Sequence, residues 1–305
     1  MKIFDLHCDT LTRCMNKRES LYKNTGQNSL ERLLGYETPV QLFAIFTDDP
    51  YVPFAYKYAK NAVEYFYKQK AELGDSLYIY DKILKDNAVG AILTIEGGEP
   101  VDSLLALDEF YLLGVRLMTL TWNRVNKIGS GMTSGSTDGL TAFGRQVVKA
   151  MNAKNMIIDV SHLNLQGFKD VFAISEKPFI ASHSNSFTLC PHPRNLRDWQ
   201  IDALKACGGV IGLNLYPPFL NDGEKADMYD ILRHTAYFLD KGCGDMLCLG
   251  CDMDGISHTP KDIECTADLY KVYLAFCENF GRNTADKIFF ENAKLFFDKN
   301  LPFMS

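Results

Sequence analysis

His7 and Asp9 stand two positions apart at the end of a short apolar run, where they could act together as metal ligands. Residues two apart in an extended strand project from the same face, so a strand over residues 2–10 would direct both side chains to one point. Zinc binds both imidazole and carboxylate groups. A lone His-x-Asp pair is equally compatible with a strand that ends in polar residues, so the rest of the sequence has to decide.

Four more residues with metal-binding or acid–base side chains follow other apolar runs: Glu96, His162, His183 and Asp252. Each alone has a structural explanation, since His183 could be a hydrogen-bonded core histidine and Glu96 could accept bonds from the glycine amides that follow it. Together, three imidazoles and two or three carboxylates form a ligand set suited to zinc or a similar divalent ion. The set suffices for two metal ions if one carboxylate bridges them.

The elements that carry these residues alternate between apolar strands and amphipathic helices. We predict strands over residues 2–10, 40–46, 89–95, 115–120, 156–160, 178–181, 209–213 and 246–249. We predict helices over residues 29–36, 53–73, 101–112, 139–153, 164–175, 198–206, 226–241, 267–279 and 284–297. Eight buried strands separated by helices indicate an α/β fold with a parallel sheet, closed as a TIM-like (β/α)8 barrel. An open doubly wound sheet is the alternative, although no Gly-x-Gly-x-x-Gly turn follows a strand.

All six candidate residues fall at the carboxyl ends of predicted strands. In a closed barrel these ends form one rim, which is where such folds place their active sites. Three of the six histidines in the sequence lie on this rim, and the others are His192, His234 and His258. The distribution therefore predicts a metal-dependent site at the rim.

Composition narrows the class of protein. The chain has 305 residues, of which 47% are hydrophobic and 23% charged, as expected of a globular protein. Length alone allows one or two domains, and we expect residues 1–305 to form one barrel domain with C-terminal helices. A net charge of −6 without basic clusters argues against nucleic acid or an anionic membrane as a partner. No signal sequence or run of eighteen apolar residues is evident, so we expect a cytoplasmic protein.

Nine cysteines, an odd number without regular spacing, do not resemble a secreted disulfide framework. Cys248 and Cys251 have the spacing of zinc knuckles and redox motifs, but no second pair accompanies them. In a strand their side chains would face opposite ways. We therefore interpret them as ordinary buried cysteines.

Six stretches of the sequence together resemble the membrane (renal) dipeptidase family of zinc peptidases, peptidase family M19, within the amidohydrolase-like barrels. In chain order they are Phe4-Asp5-Leu6-His7-Cys8-Asp9-Thr10, Thr94-Ile95-Glu96-Gly97, Asp159-Val160-Ser161-His162, Ala181-Ser182-His183-Ser184-Asn185, Pro191-His192-Pro193-Arg194-Asn195 and Gly250-Cys251-Asp252-Met253-Asp254-Gly255. Without the secretion signal and lipid-anchor tail of the animal members, the chain is similar to the soluble bacterial-type members.

The resemblance implies two zinc ions per chain: His7 and Asp9 would bind one, His162 and His183 the other, and Glu96 would bridge them. A hydroxide shared by the two ions would then be the nucleophile. Asp252 would accept the proton of the attacking water and pass it to the leaving amine, whereas Asp254, next to Gly255, fits a turn.

Arg194 would bind the free C-terminal carboxylate of a dipeptide, by the same resemblance, because its planar guanidinium can form two bonds to that group. The alternative is an arginine that only fixes its own loop. His192 stands between two prolines and fits a role in shaping this loop.

One position departs from the family pattern. The characterised dipeptidases have a Leu-Thr-His motif whose histidine contacts the substrate carbonyl oxygen, and this chain has Leu120-Thr121-Trp122-Asn123. An indole has one donor and no charge, so it stabilises a developing oxyanion less well than a histidine does. We expect Trp122 and Asn123 to line the substrate-binding region.

The sequence thus predicts a dinuclear zinc dipeptidase that hydrolyses small dipeptides with a free C-terminal carboxylate, with D-residues at the second position among the candidates. The alternatives are a metallohydrolase of another small amide or lactone and a metal-binding protein without turnover. The physiological metal is left open, as is the choice between a monomer and a homodimer.

Overall fold

The computed structural model describes residues 1–223 and 225–302, and its centre is a parallel β-sheet. The strands are β1 Lys2–Asp5, β2 Glu37–Phe46, β3 Leu77–Ile79, β4 Val89–Glu96, β5 Val115–Thr119, β6 Ile157–Asp159, β7 Ile211–Leu213 and β8 Leu247–Leu249. Seven of them form a continuous sheet in the order β6-β5-β4-β2-β1-β8-β7, and β3 pairs with β4 outside this path.

The sheet closes through a short extended segment at Ile180 and Ala181. Ile180 pairs in parallel with Asp159 at the end of β6, and Ala181 pairs with Ile211 in β7. β1 joins β8 on the other side of the ring, where Asp5 pairs with Leu249. The predicted (β/α)8 barrel is therefore confirmed, with this segment as its sixth strand in chain order.

Helices cover the outside of the barrel. The α-helices are α1 Thr10–Lys17, α2 Leu30–Leu33, α3 Ala55–Leu73, α4 Leu104–Leu112, α5 Ala142–Ala153, α6 Leu165–Ile174, α7 Asp198–Cys207, α8 Pro217–Leu220, α9 Met228–Asp240, α10 Leu269–Phe280, α11 Arg282–Asp286 and α12 Asn292–Asn300. Short 3₁₀ turns Asp49–Phe54, Gly74–Ser76 and Thr266–Asp268 and the π-helical turn Lys287–Glu291 complete the elements.

Local sequence explains where several helices begin. The side chains of Ser103, Thr141 and Asn164 each accept a hydrogen bond from a backbone N–H in the first turn of α4, α5 and α6. Such N-caps satisfy donors that have no partner within the helix. The strands between them are apolar on both faces, as in β4, because helices cover one face and the barrel interior the other.

The predicted first strand is too long. β1 ends at Asp5, and Thr10 already begins α1, so His7 and Asp9 lie on the turn between the two elements. The sequence suggested that strand alternation brings these two side chains together, but the turn after β1 does so instead. Helix α1, the outer strand β3 and the short helix α8 were not predicted. β3 and α8 have only three and four residues, and the residues of α1 directly follow the apolar run that was assigned to the first strand.

Two glycines allow the strands to approach closely beneath the rim. A Cβ atom on Gly212 or Gly250 would lie 1.8 or 1.9 Å from the carbonyl oxygen of Ser182. No side chain fits into such a space, so only glycine is compatible with this packing. The backbone that carries His183 is thus held directly against β7 and the end of β8.

The C-terminal helices close the opposite end of the barrel. Phe4 in β1 stacks on Phe297 of α12, with ring centroids 5.2 Å apart, and it meets Tyr80 edge to face at 5.5 Å. These aromatic contacts join the last helix to the first strand. Within residues 1–223 and 225–302, no helix is both long and apolar enough to cross a membrane.

Candidate metal centre and active site

Six side chains singled out in the sequence converge at the carboxyl-terminal rim of the barrel. All six are buried: His7, Asp9, Glu96, His162, His183 and Asp252. Glu96 is the last residue of β4, and the others follow β1, β6, the Ile180–Ala181 segment and β8. Four of them also line a cavity of about 550 Å³ that opens at this rim, and they are Asp9, Glu96, His162 and Asp252. The residues predicted to act together are therefore close together.

Glu96 stands at the middle of this group and divides its two oxygens. Its Oε1 lies 2.9 Å from Nε2 of His162 and 3.6 Å from Nε2 of His183. Its Oε2 lies 3.4 Å from Nε2 of His7. One carboxylate therefore faces two separate groups of potential ligands.

The first group consists of Glu96, His162 and His183. The Nε2 atoms of the two histidines are 2.9 Å apart, and Nδ1 of His162 lies 2.9 Å from the side-chain oxygen of Asn123. That oxygen only accepts, so Nδ1 of His162 donates and the lone pair of a neutral imidazole is on Nε2. The lone pair points at the other ligand atoms of the group.

The second group consists of His7, Asp9 and Asp252 beside Glu96. Nε2 of His7 lies 3.6 Å from Oδ2 of Asp9 and 3.8 Å from Oδ1 of Asp252. Among the described side chains, the buried atoms without a hydrogen-bond partner include Nε2 of His7 and Oδ1 of Asp9. Unsatisfied buried polar atoms are costly, and they are expected where a bound group would supply the missing partner.

Both groups fit a divalent metal ion. Nitrogen and oxygen ligands held tetrahedrally at about 2.0–2.2 Å from zinc lie about 3.3–3.6 Å from one another. The distances from Glu96 to His7 and His183, 3.4 and 3.6 Å, lie in this range, whereas His162 is closer to Glu96, at 2.9 Å. In the described chain, the ligand atoms of two clusters are close enough to share one ion: His7 with Glu96 and His183, and His7 with Asp9 and Asp252. The first cluster takes His7 across from the second group, and neither cluster includes His162.

Three carboxyl groups are buried together here, and their pKa values are shifted in different directions. Burial, followed by the charge of Glu96, raises the pKa of Asp9 to about 8. Burial also raises the pKa of Asp252 to about 6, although His7 acts in the opposite direction. Burial opposes ionisation of Glu96, but His7 and His162 hold its pKa well below the usual range. Three acids that compete for ionisation in one buried space favour a cation among them.

The histidines on the other side of Glu96 are held neutral. Burial, with the charge of Arg194 as the next cause, lowers the pKa of His162 to about 4. Burial and the neighbouring His7 lower the pKa of His183 well below its usual range. Neutral imidazole is the form that binds metal ions.

Arg194 lines the same cavity as Asp9, Glu96 and Asp252 and is almost completely buried. Its Nε and Nη2 atoms are buried without a hydrogen-bond partner among the described residues, and its guanidinium lies 5.6 Å from the ring centre of Phe219. Burial lowers the pKa of Arg194 to about 10, against the opposing charge of Asp252. Two unpartnered donors on one planar cation that lines the cavity suit the binding of a carboxylate.

Trp122 and Asn123 both line the cavity. The indole packs 5.0 Å from the ring of Phe46 and 6.2 Å from that of His162, measured between ring centroids. Phe46 and Trp122 therefore form an aromatic wall beside the first ligand group. The side-chain oxygen of Asn123 accepts a hydrogen bond from Nδ1 of His162, so this side chain contacts a histidine of the site.

The remaining histidines are not among the candidate ligands, although His192 lines the same cavity. His192 packs its ring 4.5 Å from that of Phe219, and its Nδ1 accepts the N–H of Arg194, in agreement with a role in shaping the loop. His234 is buried on α9 and bonds to backbone groups of Ser186 and Leu220. His258 is exposed.

The environments of Asp254 and of the free cysteines Cys248 and Cys251 fit structural roles. The carboxylate of Asp254 accepts bonds from the hydroxyl of Thr10 and from the backbone N–H groups of Gln27 and Asn28, which joins three segments of chain. Cys248 and Cys251 are both fully buried.

Two site residues have a strained backbone. His162 and Asp252 have φ angles of 69° and 62°, in the left-handed region that residues other than glycine rarely adopt. Strain of about 1–3 kcal/mol at such positions persists only where the surrounding structure enforces it. Each lies three residues after the end of a strand, β6 or β8, and the backbone there brings its side chain to the centre.

Sequence reasoning missed three polar residues behind the candidate ligands. Asn214 donates from Nδ2 to Oδ2 of Asp252 at 2.9 Å, and Asp159 and Ser182 contact each other next to His183. Asn214 directly follows β7, so its place at the end of a strand was a signal that could have found it. Asp159 and Ser182 lie inside motifs that were recognised for their histidines alone.

A comparison with protein families matches residues 1–293 to the membrane dipeptidase family, peptidase family M19. An uncharacterised protein encoded in the pqqA 5′ region of Klebsiella pneumoniae is 34% identical over 224 residues, which cover 70% of this chain and 82% of that protein. An uncharacterised dipeptidase of Schizosaccharomyces pombe is 34% identical over 204 residues, which cover 65% of this chain and 48% of the yeast protein.

Solved structures have the same fold over almost the whole chain. A metallopeptidase from Rhodobacter sphaeroides, liganded with a phosphinate mimic of the dipeptide L-Ala-D-Ala, is 25% identical with a TM-score of 0.90, and the alignment covers 98% of this chain and 99% of that one. A second structure, of a dipeptidase described as a metallopeptidase of family M19, is 26% identical with a TM-score of 0.91 and 98% coverage of both chains.

Proposed function

The chain belongs to the membrane dipeptidase family, peptidase family M19, and from this premise we propose that it is a zinc-dependent dipeptidase with two metal ions per chain. One observation carries the proposal. Asp9, whose Oδ1 has no hydrogen-bond partner among the described residues, lines the same cavity as Arg194, whose Nε and Nη2 also have none. A site with a metal centre and a carboxylate binder suits a small peptide with a free C-terminus.

Five residues would hold the metal ions. His7 and Asp9 would bind one, His162 and His183 the other, and the two oxygens of Glu96 would contact both, as their division between the groups suggests. When bound, the ions would polarise the scissile carbonyl and acidify a water molecule.

Asp252 is the proposed proton carrier. Its carboxylate lies at the edge of the second group and lines the cavity, and Asn214 fixes its Oδ2 with a bond of 2.9 Å. Oδ1 is left to accept the proton of the attacking water and to pass it to the leaving amine. An oriented carboxylate at this place could serve both steps of an amide hydrolysis.

Arg194 is the proposed specificity residue. Two charge-assisted bonds to the C-terminal carboxylate would place the preceding amide over the metal centre. An internal amide bond of a longer peptide has no carboxylate at that distance, so Arg194 would confine cleavage to the bond before a free C-terminal residue, which is the only amide bond of a dipeptide. The R. sphaeroides neighbour was solved with a mimic of a dipeptide that ends in D-Ala, which makes D-residues at the second position worth testing here.

Trp122 favours a second candidate function. The residue offers one indole donor where the family's characterised pattern has a histidine, and it packs against Phe46 in an aromatic wall. A hydrolase of another small amide whose apolar group contacts this wall, or a metal-binding protein without turnover, would have the same ligands. These candidate functions share the metal ligands, so only a test of which substrates are hydrolysed can distinguish them.

A panel of L,L and L,D dipeptides tests the proposal. Zinc-loaded protein is expected to hydrolyse members of the panel and to lose this activity with a chelator. The corresponding C-terminal amides should be poor substrates, because they lack the charge that Arg194 would bind. Hydrolysis of the amides but of no free dipeptide would contradict the proposed dipeptidase.

A further inference from the structure

Asp159 is a fully buried carboxylate at the end of β6 with no role in the mechanism above. Its Oδ1 accepts the backbone N–H groups of Ser161 at 2.9 Å and Ser182 at 3.0 Å. Its Oδ2 accepts the hydroxyl groups of Thr119 at 2.7 Å and Ser182 at 2.6 Å. Four donors therefore fix this carboxylate in one orientation.

The hydroxyl of Ser182 connects Asp159 to His183. A carboxylate accepts hydrogen bonds and does not donate them, so Ser182 uses its only hydroxyl proton on Asp159. Only oxygen lone pairs are then left for Nδ1 of His183, which lies 2.8 Å from the same hydroxyl. Nδ1 of His183 therefore donates, and in the neutral ring the lone pair is on Nε2.

This tautomer directs the lone pair of His183 at the candidate metal position. Nε2 of His183 faces Nε2 of His162 at 2.9 Å and Oε1 of Glu96 at 3.6 Å. Asn123 fixes the same tautomer in His162 by a separate contact. Two imidazole lone pairs thus point into one space, an arrangement that repels by itself and is favourable around a cation.

We propose that Asp159 and Ser182 are positioning residues that lock His183 in its metal-binding tautomer and so set the affinity of the ion held by His162 and His183. The inference rests on the proposed function, because it takes His183 as a metal ligand. Partners that orient a ligating histidine typically change metal affinity about 10–100-fold.

Two variants break the connection in different ways. Ser182→Ala removes the linking hydroxyl. Asp159→Asn keeps the shape but reverses the hydrogen bonds: two backbone N–H groups require an oxygen at the Oδ1 position, so the amide nitrogen must face Ser182. Ser182 would then donate to His183 and favour the tautomer with the proton on Nε2. Thr119→Val is the matched control, because it removes a donor to Asp159 without touching His183.

The readouts are the affinities of the two zinc ions, from chelator competition on the holoprotein, and the exchangeable imidazole N–H resonances of cobalt-loaded protein. Ser182→Ala and Asp159→Asn should each weaken one ion about 10–100-fold, leave the other within about threefold, and remove one N–H resonance. Thr119→Val should leave both affinities and all resonances close to wild type. If one of the first two variants does not fold, the other decides.

The inference is overturned if Ser182→Ala or Asp159→Asn, when folded, holds both ions as tightly as wild type. It is also overturned if Thr119→Val weakens the same ion equally, because the cluster would then act through packing alone. His183→Gln separates the two levels of the argument. Loss of one ion in His183→Gln but not in the other variants rejects only the tautomer lock, whereas no loss in His183→Gln rejects His183 as a ligand.

Discussion

At the residue scale, the burial of Arg194 without hydrogen-bond partners costs free energy that a bound substrate would offset. A buried guanidinium with two unpartnered nitrogens is unfavourable unless an anion completes its bonds. The hydrophobic ring of Phe219 and the nearby loop hold the group in place in the meantime. Binding of a substrate carboxylate would therefore be favoured, because it would supply the missing hydrogen bonds.

Replacing Arg194 should impair substrate binding and leave the metal ions in place. Charge-assisted bonds contribute about 1.5–3 kcal/mol each, so Arg194→Met should lower kcat/KM for dipeptides more than tenfold with unchanged zinc content. The preference for dipeptides over their C-terminal amides should narrow. Arg145→Met, at a half-exposed arginine paired with Asp170, is the control. An undiminished preference for free carboxylates would show that Arg194 does not bind them.

Trp122 permits a test of the aromatic wall. Loss of one oxyanion donor costs about 2.7–4 kcal/mol in other enzymes, so a missing histidine predicts slow turnover of generic dipeptides. Trp122→His should raise that turnover if the indole is only a deficit, and should abolish turnover of the best substrate if the indole contacts it. A variant equal to wild type on every dipeptide, at equal metal loading, would place residue 122 away from the reacting carbonyl.

At the element scale, the sequence predicted the eight-strand barrel and the rim position of the site, because buried parallel strands are apolar and periodic over several residues. It did not predict how His7 and Asp9 converge, since a turn and a short helix follow β1 where the pattern suggested a continuous strand. The sequence also could not predict the hydrogen bonds of Asp159, Ser182 and Asn214, because tertiary packing brings together residues that are distant in sequence.

Helix α9 is tied to the loop that carries Arg194 through a neutral histidine. His234 accepts the N–H of Ser186 at Nδ1 and faces the carbonyl oxygen of Leu220 at Nε2, which must therefore donate. A proton on Nδ1 would oppose the Ser186 N–H. Burial lowers the pKa of His234 to about 4 from an ordinary value of 6.5, with Arg233 adding and Asp230 opposing.

The pH dependence of stability follows from this pKa. Between about pH 6.5 and pH 4 the unfolded chain binds a proton that folded His234 does not, so stability falls as the pH falls through this window. The loss should reach about 2–3 kcal/mol near pH 4. Urea unfolding of His234→Gln should show a correspondingly flatter pH dependence than that of wild type. Equal slopes in His234→Gln and wild type would contradict the assignment.

At the scale of the whole molecule, we propose that residues 1–305 form one domain, in which the C-terminal helices close the barrel against β1. Such a protein should unfold in one calorimetric transition. Ions that bind only the folded state stabilise it by about 4 kcal/mol at a concentration 1,000 times Kd, so chelation should lower Tm by several degrees without splitting the transition. Two transitions that respond differently to zinc would contradict a single domain.

Metal stoichiometry tests most directly whether Glu96 bridges two metal ions. Zinc-reconstituted protein, analysed for metal after removal of free ions, should contain two zinc ions per chain. His183→Ala should retain about one, and Asp252→Asn should retain two, because Asp252 is assigned to proton transfer. A reproducible content of one ion or fewer in fully folded wild-type protein would contradict the dinuclear centre.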